Sequence, residues 1–323
     1  MARSDLVLSL VKTGMNGDLP LFVKTAEAIA EEARTRQHYH FAEKLTSVLT
    51  ESRSSNVDAS HMAGISNLQN AFYEIFCQKT FNDLIIPTDI LNAARELVEE
   101  HNRRELLRSY NLEPRHRILL SGPPGNGKTT LAEAIANHLA LPFYIVKYEG
   151  IISRYLGETA QQLDQLFEHI KTRRCVLFFD EFDAISKDRG DENDNGEVKR
   201  VVNSLLKQID HLPSHVIVIG ATNYDQALDK AIWRRFQLQL KLPQPTRAMA
   251  IEWFDGFAQR IGHPLGYASS TLADKLKGLS FAELEEFGLD VQRKYVLGLP
   301  ESEQKIKQIT KNCLEFWSKR MHV

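Results

Sequence analysis

Apolar positions change their period along this chain, and each change predicts a different kind of structure. Across residues 1–50 they fall at helical spacing, first at Phe22, Val23, Ala26, Ile29, Ala30 and Ala33, then at Phe41, Ala42, Leu45, Val48 and Leu49. This pattern predicts three short helices. Residues 51–60 are rich in Ser, Asn and Asp with no apolar period, and read as a linker. From Asp83 onward, helical patterns alternate with short β-rich runs at 117–120, 143–146, 175–179, 216–219 and 237–240. Strands that alternate with helices predict an α/β core, a parallel sheet covered on both faces. Beyond Pro243 and Pro245 the strand pattern stops, and Ile306, Ile309, Cys313 and Trp317 restore helical spacing. The expected organisation is an N-terminal helical domain over 1–55, a linker over 56–82, a large α/β subdomain over 83–245 and a small helical lid over 246–323.

The run Gly122-Pro123-Pro124-Gly125-Asn126-Gly127-Lys128-Thr129-Thr130 fits G-x-x-x-x-G-K-[ST] and directly follows the apolar strand at 117–120. Glycines here let backbone N–H groups curl around a β-phosphate. Lys128 reaches the β- and γ-oxygens, and the Thr129 hydroxyl is a ligand for Mg²⁺. A helix over 129–138 would turn its positive end to the same phosphates. The segment therefore predicts a P-loop that binds a nucleoside triphosphate, with Gly122, Pro124, Gly125, Asn126, Gly127, Lys128, Thr129 and Thr130 as its contact residues.

Two further strand ends carry chemistry. The apolar run 175–179 ends in Asp180 and Glu181. Ligands of such sheets lie beyond the C-terminal ends of the strands, so these carboxylates would face the phosphate crevice, Asp180 toward Mg²⁺ and Glu181 toward the attacking water. Taken alone, Asp180 could equally be a helix N-cap. The run 216–221 ends in Thr222 and Asn223, and the Asn223 amide suits the γ-phosphate or the attacking water. Downstream stand Arg234 and Arg235. Their guanidinium forks match transition-state phosphoryl charge, although an arginine pair is also an ordinary solvated surface.

Composition removes other classes. With 43% hydrophobic and 25% charged residues and a formal net charge of −2, the chain has neither a disordered profile nor a nucleic-acid footprint. Three cysteines without a C-x-x-C argue against a disulfide framework or a thiolate zinc site, and read as apolar packing groups. The longest apolar runs are strand-length and the N-terminus lacks a signal-peptide profile, so no membrane span and a cytoplasmic location are expected. There is no H-E-x-x-H, no second phosphate loop and no nucleophile elbow, and the histidines lack ligand spacing.

These elements in this order closely resemble the AAA ATPase family, which includes katanin, spastin, FtsH and the valosin-containing protein. The resemblance runs from about Asn82 to the C-terminus and rests on the GPPGNGKT loop, the FFDEFDAI and GATN strand ends, and Leu228-Asp229-x-Ala231-Ile232 before the arginines. It implies ATP and Mg²⁺ as cofactors, Asn223 as the sensor-1 residue, and Arg234 and Arg235 as arginine fingers completing the next subunit's site in a hexameric ring. Two departures stand out. The fingers are adjacent where the family often separates them by two residues. The lid run 278–284 is similar to the family's S-G-A-D motif with Phe281 and Glu283 substituted, although, as in that family, it carries no sensor-2 arginine.

A ring also needs a grip on its substrate. Ser153-Arg154-Tyr155-Leu156-Gly157-Glu158 resembles the family's first pore loop, in which Tyr155 and Leu156 would hold an extended peptide. The competing reading of Tyr155 is an aromatic staple against the helical run that follows. The acidic segment 188–197 is either a second pore loop or a solvated turn. The expected function is an ATP-driven protein remodeller or unfoldase, with residues 1–55 resembling adaptor-binding helical modules. The alternative from another class is an ATP-controlled assembly switch or scaffold that does not thread substrate. A small-molecule kinase fits less well, since kinases need neither the GATN strand nor arginines from a neighbour. Resemblance to short single-ring bacterial members, some encoded beside a subtilisin-like serine protease, implies a protease partner acting in trans.

Overall fold

A computed structural model of the protein describes residues 25–26, 28–29, 72–146, 167–168, 170–182, 204–224, 230–299 and 302–321. The chain divides into two units, Met1–Asn67 and Leu68–Val323. In the first, the described residues Thr25, Ala26, Ala28 and Ile29 are helical, and Ala26 and Ile29 are buried. The remaining helical expectations for residues 1–50 lie outside the described residues.

The second unit is built on a six-stranded sheet. Its strands are β1 (Phe72–Ile75), β2 (Arg117–Ser121), β3 (Phe143–Val146), β4 (Cys175–Phe179), β5 (Val216–Thr222) and β6 (Leu238–Lys241), in the order β1-β3-β4-β5-β2-β6. All neighbours from β3 to β6 are parallel. The edge strand β1 runs antiparallel to β3 and lies within the stretch read as linker. Its four residues, Phe72-Tyr73-Glu74-Ile75, are only partly buried or exposed, and Glu74 interrupts the apolar run, so the strand lacks the continuous pattern of the core strands.

Helices α1 (Thr88–Asn102), α2 (Arg104–Ser109) and α3 (Lys128–His138) belong to this layer. The two sheet faces follow the side-chain period of two. Ile118, Leu120, Val176, Phe178, Ile217 and Ile219 enter one core with Leu97 of α1 and Leu131 and Ile135 of α3. Leu119, Leu177, Phe179 and Val218 enter the other with Phe167, Leu205 and Ile209. Burial on both faces is why these strands read as continuous apolar runs and not as alternating ones.

Four helices follow the sheet: α4 (Arg247–Ile261), α5 (Ser269–Lys275), α6 (Phe281–Leu297) and α7 (Ser302–Met321). They share a separate core in which Phe287 makes edge-on contacts with Phe254 and Trp317. At the α4–α6 crossing, a Cβ at Gly288 would fall 2.6 Å from the Phe257 ring, so this glycine allows the close approach. Two of these helix starts have side-chain support. Thr246 caps α4 by accepting from the Met249 N–H, and Ser280 with Glu283 forms a capping box on α6.

Candidate active site

The crossover that places β5 between β2 and β4 decides the site. The loop after β2, the Asn223 end of β5 and the Asp180 end of β4 come to lie side by side on one rim of the sheet. The loop between β2 and α3 is drawn tight by glycines with positive φ. Gly122 has φ +142°, its N–H donates to Thr222 O at 3.2 Å, and a Cβ there would sit 2.1 Å from Leu242 O. Gly127, with φ +84°, precedes the first turn of α3, where unpaired N–H groups and the helix dipole favour an anion.

Lys128 is buried, and its ammonium lies inside the loop. Nζ donates to Gly122 O at 2.7 Å, Pro123 O at 3.0 Å and Asn223 Oδ1 at 2.7 Å. Sequence reasoning placed Lys128 and Asn223 in one crevice but did not foresee their direct bond. Thr129 is exposed and Thr130 half-buried on the first turn of α3. Pro124 and Gly125 lie at the exposed crest of the loop, whereas Asn126 is buried.

Across the crevice, Asp180 and Glu181 are exposed beyond the end of β4. Glu181 occupies the left-handed region at φ +48°, its N–H donating to Asp180 Oδ1 at 2.9 Å. A non-glycine residue held there costs about 1–3 kcal/mol, and such strain collects where a side chain must be aimed. Phe182 secures the turn. Its N–H donates to Ala221 O at 2.7 Å, and its buried ring meets Phe236 edge-on at 5.4 Å between centroids. Gly220 makes room for that aromatic pair, since a Cβ there would stand 3.2 Å from Phe236 and 3.3 Å from Phe182.

The donor set fits a Mg-nucleotide: oxygen ligands of the type Mg²⁺ requires at Thr129 and Asp180, and a buried ammonium beside glycine-shaped backbone for phosphate. Among the described residues, no cluster of three or more His, Cys, Asp or Glu suggests another metal centre. Burial, the leading cause, pushes Cys175 up to about 12 and Cys77 to about 11, far from a thiolate at neutral pH.

Residues 118–244 match the family model for the ATPase family associated with various cellular activities (AAA). The chain belongs to the AAA ATPase family. The match covers the P-loop, Asp180, Glu181, Asn223 and both arginines. An AAA family ATPase of Sinorhizobium fredii, y4kL, is 40% identical over 204 residues, 63% of this chain and 61% of that protein. A 26S proteasome regulatory subunit homologue of Methanothermobacter marburgensis is 32% identical over 228 residues, 69% of this chain and 60% of the relative. A cell division cycle protein 48 homologue of Archaeoglobus fulgidus is 36% identical over 188 residues, 56% of this chain and 25% of the relative. The chain thus spans about three-fifths of the length of the first two relatives and a quarter of the third.

Within the AAA domain, the arginines sit on the other rim of the sheet. The Gln237 N–H donates to Arg117 O at the start of β2, and Gln237 Oε1 accepts from the N–H groups of His116 and Arg117. Arg235 Nε donates to Asp210 Oδ2 at 2.8 Å, and Arg117 Nη1 to Asp210 Oδ1 at 3.1 Å. Arg234 is exposed and has no hydrogen bond or ion pair among the described residues. Tyr155, Leu156 and the acidic segment 188–197 lie outside the described residues. Among the described residues, no helix is long and apolar enough to cross a membrane.

Proposed function

We propose that this chain is an ATP-hydrolysing protein remodeller in which each nucleotide site is completed by a neighbouring copy in a ring, most simply a hexamer. One observation carries the shared site: the loop and the arginines occupy opposite rims. From Arg117 to Ser121 the chain rises about 13 Å, and the loop begins only beyond that. An arginine at the start of β6 cannot turn back across the sheet, so a phosphate can meet Arg234 only on another copy. The exposure of Arg234 and the engagement of Arg235 with Asp210 support Arg234 as the residue offered to the neighbour.

In the chemical step, Lys128 exchanges loop carbonyls for β- and γ-phosphate oxygens, and Asn223 becomes available to hold the γ-phosphate or the water. Glu181 orients that water and takes its proton as the oxygen bonds to phosphorus and the bridge to ADP breaks. Mg²⁺, when bound through Thr129 and Asp180, supplies charge neutralisation at the phosphates. Arg234 of the adjacent copy adds positive charge where negative charge develops.

The relatives named as proteasome regulatory and cell-division-cycle proteins support work on protein substrates. In this reading Tyr155 and Leu156 form the peptide grip, residues 1–55 select the substrate, the site of action is cytoplasmic, and a subtilisin-like protease receives unfolded chain. Mixing Lys128→Ala with Arg234→Ala protein tests the ring. Hybrid interfaces pair an intact loop with an intact arginine, so activity should exceed the sum of the separate proteins. Proven co-assembly with purely additive activity would end the trans assignment. Tyr155→Ala tests threading against the assembly switch: it should keep basal hydrolysis while losing stimulation by unfolded protein. Unchanged stimulation would remove Tyr155 from the grip, and a wild type whose turnover does not rise with unfolded protein would favour the switch.

A further inference from the structure

Two hydrogen bonds fasten the phosphate loop to the start of α6, and one of them runs through a side chain. Asn126 is only 2% exposed, and its Oδ1 accepts from the Phe281 N–H at 3.3 Å. Beside it the Ala282 N–H donates to Gly125 O at 3.0 Å. Phe281 and Ala282 open α6, so these are first-turn donors that have no partner within their own helix. The capping box occupies its own groups, with the Ser280 N–H and hydroxyl both donating to Glu283 Oε2 at 2.7 Å. The approach is close enough that a Cβ at Gly125 would lie 2.8 Å from Ser280 Oγ and 2.9 Å from Ala282 Cβ.

Phe281 is held at both ends. Its N–H is bound by Asn126, while its ring packs against the core of the four-helix lid. Asn126 directly precedes Gly127, the cap of α3, and its Nδ2 is buried without a partner among the described residues. The Phe281 N–H is therefore the one hydrogen-bond partner of this side-chain amide among the described residues, so a rotation of the lid core would pull directly on the residue that precedes the α3 cap.

We propose that Asn126 is a positioning residue that latches lid to phosphate loop and so sets how fast nucleotide leaves. The inference rests on the reading of this loop as the nucleotide site. The test is stopped-flow release of a fluorescent N-methylanthraniloyl-ADP from the full chain. Asn126→Ala should speed release about threefold to tenfold, the loss expected from one hydrogen bond. Asn126→Thr, which restores an acceptor, should return the rate toward wild type. Phe281→Ala keeps the N–H but removes its anchor in the lid, so it should also speed release. The double variant should be no faster than the faster single one, because both changes cut one linkage. An unchanged rate in Asn126→Ala, or rate effects that multiply in the double variant, would overturn the latch. Should Asn126→Ala fail to fold, Asn126→Val carries the same comparison. Failure of the wild type to bind the probe at all would instead refute the nucleotide reading beneath it.

Discussion

At the rim where β2, β4 and β5 end, the chain accepts strain and leaves carboxylates exposed. At the rim where β2 and β6 begin, it pairs its charges. Glu181 is held at positive φ with its carboxylate in solvent, and Gly122 adopts a conformation closed to other residues. On the other side, Asp210 takes both Arg117 and Arg235, and the Gln237 side chain satisfies two successive backbone N–H groups. Arg234 departs from that second pattern. A rim that performs chemistry needs groups aimed before the substrate arrives, whereas a rim that presents one group needs a rigid base beneath it. The difference separates residues that should fail through chemistry from residues that should fail through fold.

The sharpest way to break this comparison is Gly122→Ala. The new methyl group would collide with Leu242 O, and the backbone is strained for alanine, so nucleotide binding should vanish and stability fall by about 2 kcal/mol or more. Isothermal titration and thermal melting read both, and a variant with normal affinity would mean that the loop can be rebuilt. Next in size is Arg234→Ala, for which kcat should fall about 1,000-fold at unchanged melting temperature, as for an arginine supplied to a neighbour's phosphoryl group. A fall in stability alongside the rate would place Arg234 with the base and not with the chemistry.

Glu181→Gln should lower turnover about 100-fold or more while ATP stays bound, since the amide cannot take the water's proton. Replacing glutamate at a strained position by its isostere leaves the fold alone, so melting should not move. The smallest effect is expected for Asp210→Asn. It loosens two partly buried ion pairs, costs about 1 kcal/mol, and reduces kcat only as far as Arg235 supports its neighbour. A loss in Asp210→Asn as large as that in Arg234→Ala would erase the distinction between presenter and base.

The core strands were legible because burial on both faces leaves uninterrupted apolar runs, and the P-loop because its glycines serve geometry and not packing. Strand β1 was hidden: Phe72-Tyr73-Glu74-Ile75 is short and half-exposed, and its pairing with β3 is a long-range choice that no local pattern encodes. The arginine pair could be located but not divided, because only the fold brings Asp210 to Arg235. Phe281 was visible as a departure from a motif, but its consequence required seeing Asn126 beneath it. The bond between Lys128 and Asn223 likewise follows from strand order and not from spacing.

The edge-on pair of Phe182 and Phe236 constrains how this sequence can be varied. One ring belongs to the turn that aims Glu181 and the other follows directly on Arg235, with Gly220 as the shared floor. The three positions form a single alphabet letter for any designer or any lineage: a smaller ring at 182 leaves a void that 236 cannot fill, and an added methyl at 220 requires one ring to shrink. Single changes at 182, 220 or 236 should score poorly in a library while matched combinations survive, so tolerance at one rim of the sheet will be readable only with the genotype of the other.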